Sequence, residues 1–318
     1  MGEWVSMFEF LFSKSKSSLF QNIDVNVGLR TVQVPVAVIK GNRPGKTCVI
    51  TGGMDGDEYT GIQAAYVLAN RFASGDFCGT LIVVAIVNMP GFTAEMSPNP
   101  IDQKFPKHFF PGKERGTSTE RLIHWLNATY IDGADLWIDL HSGAITEGLN
   151  PFIWLYQTGV SSVDVMTEKF LLTSGVSMAV YEKSHSVSKA TFLAERGCQY
   201  VLFESGARGN AHAIDVERHV QWVTTLLSQH EMILEEKATE TKTEHLFRHV
   251  TYVYAPCDGL WNVGLMEKTI QQGQAIGELS RLDGTGQKLI IAPKSGAPLW
   301  WKETLSMRRG DILCAIAY

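Results

Sequence analysis

Three short stretches carry residue types able to do chemistry. The first, Thr51-Gly-Gly-Met-Asp55-Gly-Asp-Glu58-Tyr-Thr-Gly61, holds an Asp and a Glu three residues apart in a glycine-rich turn. Two carboxylates so placed could form half of a metal site, or could be acids drawn to a helix N-terminus by its dipole. The second is His141-Ser-Gly143, directly after the apolar run Ala134–Leu140. A histidine there is either a satisfied structural residue or a partner of the acids at the same edge. The third is Glu204-Ser-Gly206, after the apolar run Tyr200–Phe203.

These residues share a rim only if particular elements deliver them. Lys46–Gly53 (KTCVITGG) reads as a buried strand, and Glu58–Ala73 has apolar Ile62, Ala65, Val67, Leu68 and Phe72 at helical spacing. Asp55 and Glu58 therefore fall between a strand's carboxyl end and a helix's start, the crevice where open α/β sheets bind ligands. Gly79–Asn88 is nearly all apolar, as expected of a strand buried on both faces of a parallel sheet. Beyond it come helix Ser118–Tyr130, strand Ala134–Leu140, strand Phe152–Tyr156, helix Ser162–Ser174, strand Met178–Tyr181, helix Lys189–Arg196, strand Tyr200–Phe203 and helix Ile214–Ile233. Such alternation predicts an α/β domain, a mainly parallel sheet with helices on both faces. Val32, Val34, Val36 and Val38 alternate before the motif, with Pro35 among them, which predicts an edge strand. The stretch Met89–Gly116, rich in Pro, Phe, Lys and His, is too long to be a simple connection, and its aromatic content speaks for order and function.

Glu235–Thr243 (EEKATETKT) is charged and poor in apolar residues, and after it the pattern changes to short strands with Gly and Pro turns. The expected division is a catalytic domain over 1–240 and a small all-β domain over 247–318. Two related phrases, Ala255-Pro-Cys-Asp-Gly259-Leu-Trp and Ala292-Pro-Lys-Ser-Gly296-Ala-Pro-Leu-Trp, predict a pseudo-repeated β-sandwich.

The whole chain limits the classes of function. Its 318 residues are enough for two domains, and 45% hydrophobic with 19% charged residues describes a water-soluble globule. A net charge of −5 without basic runs speaks against nucleic-acid binding. No apolar run of about 18 residues predicts a membrane span. The five cysteines are scattered and never form a C-x-x-C pair, which points to free thiols in a reducing, cytoplasmic setting and away from a thiolate zinc site. The opening MGEWVSMFEFLF has the wrong polarity for a secretory signal and is expected to pack as a helix; Met1-Gly2-x-x-x-Ser6 fits the short myristoylation pattern.

Taken together, the motifs resemble the succinylglutamate desuccinylase/aspartoacylase family, a branch of the zinc-carboxypeptidase fold, over nearly the whole chain. In that family a strand–turn–helix bearing H-G-x-E gives two zinc ligands, a later D-L-H-[ST]-G gives the third, and a Glu after a hydrophobic strand is the general base. The matching stretches are Asp55-Gly-Asp-Glu58, Asp139-Leu-His141-Ser-Gly143 and Phe203-Glu204-Ser-Gly206. Asn88-Met-Pro-Gly-Phe92 and Pro100-Ile-Asp102…Phe110-Pro-Gly112 resemble the family's long loop. The resemblance implies Asp55, Glu58 and His141 as metal ligands and Glu204 as the catalytic base. It implies Lys107 and His108 as substrate-binding residues, standing where the family's Asn-Arg pair holds a substrate carboxylate.

Two departures matter. Asp55 replaces the first ligating histidine, so the ligand set carries one more negative charge, which raises the pKa of a bound water and favours harder ions such as manganese beside zinc. His108 replaces the arginine, so preference for acidic substrates does not carry over. The expected activity is metal-dependent hydrolysis of an N-acyl amino acid or a related small acylated amine, with a small-molecule substrate as partner and a homo-oligomer left open. The expected ion rests on Glu58 and His141, with Asp55 direct or through water. The substitutions also support a second function, a small-molecule binding protein that keeps the fold with impaired catalysis.

Overall fold

In the computed structural model, residues 19–186, 188–234 and 243–318 are described. The expected N-terminal helix, the Met1–Ser6 pattern and nearly all of the expected linker lie outside them.

The first part of the chain runs β1 (Gln21–Asn26), β2 (Thr31–Lys40), β3 (Arg43–Gly52), α1 (Tyr59–Arg71), β4 (Cys78–Val84), α2 (Met89–Thr93), α3 (Ser118–Leu126), β5 (Leu136–His141), β6 (Glu147–Leu149), β7 (Phe152–Gln157), α4 (Ser161–Thr173), β8 (Met178–Lys183), α5 (Lys189–Ala194), β9 (Gln199–Glu204) and α6 (Ala213–Gln229). The remainder is β10 (His245–Phe247), β11 (Val250–Tyr254), β12 (Gly259–Val263), β13 (Ala275–Ser280), β14 (Lys288–Ile291), β15 (Ala297–Lys302), β16 (Ser306–Met307) and β17 (Ile312–Ala317).

Nine strands form one mixed sheet in the order β1-β2-β4-β3-β5-β9-β7-β8-β10. Its centre, β4-β3-β5-β9, is parallel, so β3, β5 and β9 end at one rim and deliver the three motifs there. Every residue of β5 is buried, which is why its sequence reads as one apolar run interrupted only by Asp139 and His141. On one face α1 and α6 cover the sheet through Ile62, Leu68, Val223 and Leu226. On the other, α3 and α5 contribute Leu122, Leu126 and Leu193.

Three details differ from the sequence-based expectation. Strand β7 runs antiparallel to β9 although parallel to β8, so Phe152 and not Gln157 lies beside Glu204. Strand β2 is one place in from the edge, because β1 pairs along its outer side. Pro35 is tolerated there because the β4 ladder begins only at Val36, where no bond from the missing N–H is needed. The β units also exchange short strands. β10, from beyond the expected linker, extends the large sheet beside β8, while β6 joins β15 of the C-terminal part.

The C-terminal part holds two four-stranded sheets, β11-β17-β15-β6 and β14-β13-β12-β16, around Trp261, Ile276, Leu279, Leu313 and Ile316. The two related phrases have equivalent roles. A Cβ on Gly259 would lie 2.0 Å from the Ser280 carbonyl, and one on Gly296 would lie 2.0 Å from the Ala317 carbonyl. Only glycine permits that approach of strands in either sheet. No helix among the described residues is long and apolar enough to cross a membrane.

Candidate active site

The turn after β3 brings Asp55 and Glu58 to the rim, both buried. Helix α1 enters closely against β5: a Cβ on Gly61 would meet the Leu140 carbonyl at 2.3 Å. That approach sets Glu58 against His141. Glu58 Oε2 lies 2.8 Å from His141 Nδ1 and accepts from the Ser142 amide at 3.0 Å. Asp55, Glu58 and His141 offer ligand atoms that all lie within 4.8 Å of one another.

His141 lies between acids. Its Nε2 is 3.3 Å from Asp139 Oδ2, and Glu58 followed by Asp139 outweighs the effect of burial and holds its pKa well above the ordinary histidine value. Asp139 is fully enclosed and richly partnered. Its Oδ1 accepts from Thr51 Oγ1 at 2.6 Å, its Oδ2 accepts from the Tyr200 hydroxyl at 3.0 Å, and Lys189 Nζ is 3.5 Å away. Burial works against this carboxylate, but His141 and Lys189 prevail and keep its pKa well below the usual carboxylate range. Lys189 in turn stacks its ammonium over Trp137 and Tyr200, 4.8 and 4.3 Å from their ring centres.

Asp55 is less well served. Its Oδ2 accepts from Lys107 Nζ at 2.5 Å, while its Oδ1 is buried with no hydrogen-bond partner among the described residues. Burial pushes its pKa up to about 6, with the Lys107 ammonium opposing. Lys107 is held above the ordinary lysine value because Asp55 and Glu58 outweigh its own desolvation. The two are therefore ionised together at neutral pH.

Glu204 ends β9 opposite His141 in the ladder. Its Oε2 is buried and unpartnered among the described residues, and burial with the nearby Glu58 drives its pKa well above the carboxylate range. Arg208, three residues after Ser205 and a conceivable partner on sequence alone, is committed elsewhere: it makes a paired contact with Glu303 at 2.6 and 2.6 Å.

The stretch Met89–Gly116 is ordered by its own polar residues. Asn88 accepts from the Gly91 amide and donates to the Ser97 carbonyl. Ser97 donates to Asp57, and Asp102 accepts from both the amide and the hydroxyl of Thr119. The loop so fixed carries Lys107 onto Asp55 and leaves His108 exposed at the cavity mouth. Desolvation within the cavity, then the Lys107 ammonium, lowers the pKa of His108.

All of this opens into a cavity of about 820 Å³. Glu58, Lys107, His108, His141 and Glu204 line it, so five of the six residues singled out from the sequence face one space, and Asp55 adjoins it through Lys107. The C-terminal sheets form the opposite wall with Tyr252, Trp300 and Lys302. Lys302 donates to Glu147 at 2.7 Å and so closes one side. Asp139 and Lys189 are site residues that were not singled out from the sequence. The signal for Asp139 was present, since a residue two before His141 on a strand shares its face. None existed for Lys189, which reaches Asp139 from the start of another helix.

The donor set suits a divalent cation. Two carboxylates and an imidazole converge while buried, and Asp55 Oδ1 has no hydrogen-bond partner among the described residues, an arrangement that costs free energy unless a ligand satisfies it.

A mixed sheet ending in acids and a histidine, roofed by a β unit, defines a class that the comparisons name. Residues 44–230, more than half of the chain, match the succinylglutamate desuccinylase/aspartoacylase catalytic domain, and the chain belongs to that family of deacylases. Among curated proteins, N-alpha-acetyl-L-2,4-diaminobutyric acid deacetylase from Halomonas elongata is 36% identical over 121 residues, which is 38% of this chain and 35% of that protein. The aligned stretch thus spans about a third of that relative. Two solved structures share the fold across 94% of each chain: a succinylglutamate desuccinylase/aspartoacylase from Rhodobacter sphaeroides (TM-score 0.82, 23% identity) and the product-bound ectoine utilization protein EutE (DoeB) from Ruegeria pomeroyi (TM-score 0.82, 24% identity).

Proposed function

We propose that the protein is a metal-dependent hydrolase that cleaves the amide bond of an N-acyl amino acid or a related small acylated amine. The observation that supports it most is the convergence of Asp55, Glu58 and His141 beside the unpartnered oxygen of Glu204, at the head of a substrate-sized cavity. The Halomonas elongata relative, named for a deacetylase of a diamino acid, adds weight to this substrate class.

A divalent ion on these three residues, zinc or a harder ion such as manganese, would supply Lewis acidity toward the amide carbonyl and the attacking water. With the charge of Glu58 offset by such an ion, Glu204 would be ionised, accept the proton of that water through its free oxygen and pass it to the leaving nitrogen as the carbon–nitrogen bond breaks. Asp139 holds the His141 ring through Nε2, as carboxylates behind ligating histidines do. Lys107 and His108 face the substrate from the loop side. The buried cysteines Cys48, Cys198 and Cys314 are free thiols, in keeping with a cytoplasmic setting.

The test is release of free amine from a panel of N-acyl amino acids before and after stripping with a chelator. Activity that falls on stripping and returns with zinc or manganese supports the proposal. Turnover that survives stripping contradicts it. A second function, ligand binding with impaired turnover, is favoured by one observation: the Lys107 ammonium already neutralises Asp55. It predicts measurable ligand affinity without product.

A further inference from the structure

The loops that follow His141 and Glu204 are bonded to each other. The Ser205 amide donates to the His141 carbonyl at 3.3 Å, the Gly143 amide to the Gly206 carbonyl at 2.9 Å, and the Arg208 amide to the Glu147 carbonyl at 2.8 Å. The end of β15 grips both from outside. Lys302 pairs with Glu147 in the β6 ladder, and the Glu303 amide donates to the Thr146 carbonyl at 2.8 Å. A Cβ on Gly148 would stand 2.3 Å from the Trp301 ring, so β6 is seated directly on that indole. Two consecutive side chains then divide between the loops. Lys302 Nζ donates to Glu147 at 2.7 Å, and Glu303 accepts from Arg208 Nε and Nη2 at 2.6 and 2.6 Å.

The contact with Arg208 has two marks that an ordinary surface ion pair lacks. Exposed pairs contribute little as a rule, but a paired arginine–carboxylate fork with an ordered partner is the exception. Glu303 is so ordered, because Trp301 Nε1 donates to its Oε1 at 3.0 Å. The backbone of Arg208 is also left-handed, with φ of +58°, between Gly206 at +92° and Gly209 at +58°. That conformation suits glycine and disfavours arginine, so the side chain is kept at a cost that its contacts must offset. The β6 ladder joins the C-terminal sheet to the loop after His141; Arg208 extends the joint to the loop after Glu204.

We infer that Arg208 and Glu303 are positioning residues, through which the C-terminal sheet fixes Glu204 relative to His141. Both lie outside the lining of the cavity, so they act through the loop and not on the substrate. The consequence for turnover rests on the deacylase reading, with Glu204 as the base: a displacement of about 1 Å at a reacting group costs up to ~10² in rate, while contacts made by other residues with the substrate are kept.

The test is amide hydrogen exchange over residues 141–149 and 204–210, together with kcat and KM for the N-acetyl amino acid that the wild type cleaves fastest, on the full chain with zinc or manganese in excess. Arg208→Asn removes the guanidinium and tolerates the left-handed backbone; Glu303→Ala cuts the same contact from the C-terminal sheet. Each should raise exchange in both loops about tenfold and lower kcat about tenfold or more, with KM within about threefold. The double variant should be no worse than the more affected single one, because both changes remove one contact. Arg208→Lys, which keeps the charge without the fork, should fall between Arg208→Asn and the wild type. If Glu303→Ala fails to fold, the order of the two Arg208 variants decides. Wild-type exchange in the single variants, or losses that simply add in the double variant, overturn the inference. If the wild type turns over and the variants match its kcat, the inference fails and the deacylase reading stands. If the wild type cleaves no N-acyl compound, the deacylase reading falls and exchange alone decides the inference.

Discussion

Two buried aspartate–lysine pairs flank His141, and they are built differently. Asp139 has a partner for each oxygen: Thr51, Tyr200, His141 and Lys189 surround it, and Lys189 is itself caged by two rings. Asp55 has Lys107 on one oxygen and, among the described residues, no hydrogen-bond partner on the other. The first pair is saturated and so belongs to the frame that orients His141. The second keeps unused acceptor capacity at a place where two further donor residues converge, and spare buried capacity is what a ligand site requires. Burial and charge are alike in both; completeness of partnering separates them.

The largest expected effect follows from breaking the saturated pair. Asp139→Asn keeps the shape but leaves the imidazolium of His141 and the ammonium of Lys189 without their carboxylate, at an expected cost of about 3–5 kcal/mol in stability. Chemical denaturation of Asp139→Asn beside Asp55→Asn measures the contrast. The same change at Asp55, already short of partners, should cost clearly less, and equal losses would erase the distinction.

His230, on the frame and far from the rim, gives a pH-dependent counterpart. It contacts Gln199 at 2.6 Å and Lys46 at 3.3 Å, and burial, then Lys46, lowers its pKa to about 4. An unfolded histidine takes up its proton near 6.5, so between about pH 6.5 and 4 the unfolded chain holds the extra proton and stability falls as pH drops. Above that window both forms are neutral and the penalty vanishes. At about 1.4 kcal/mol for each unit, the full penalty is about 3 kcal/mol. His230→Gln should flatten this part of the stability–pH curve.

A smaller effect is expected at the unsaturated pair. Lys107→Met removes the ammonium that competes for Asp55 and should raise zinc affinity about tenfold, near 1.4 kcal/mol. An unchanged or weaker affinity would mean that Lys107 does not compete with the ion. Cleavage between the units should have the least effect. We propose domains over 1–240 and 247–318, with a protease cutting within Glu235–Thr243. Because β6 and β10 cross between the units, the two pieces should still elute together; separation would show that the exchanged strands bind weakly.

Much of the large sheet was legible because parallel strands buried on both faces leave unbroken apolar runs, as at β4 and β5. The rim was legible because Glu58, His141 and Glu204 each end or follow such a run. The short strands β6, β10 and β16 were not, since two or three residues paired at an edge carry no periodicity. Nor was the direction of β7, because apolar content does not record strand polarity. Lys107 stood at a recognisable position, yet its contact with Asp55 depends on how Asn88, Asp102 and Ser97 fold the long loop, which spacing alone does not encode.

The most direct test of the contrast between the two pairs is zinc binding itself, measured by chelator competition with elemental quantification on the wild type and on Glu58→Gln. Binding of one ion per chain in the wild type, weakened by about a hundredfold or more in Glu58→Gln, is the predicted result. Wild-type affinity retained in Glu58→Gln, or no zinc bound by the wild type at all, would contradict the assignment of Asp55, Glu58 and His141 as the ion site.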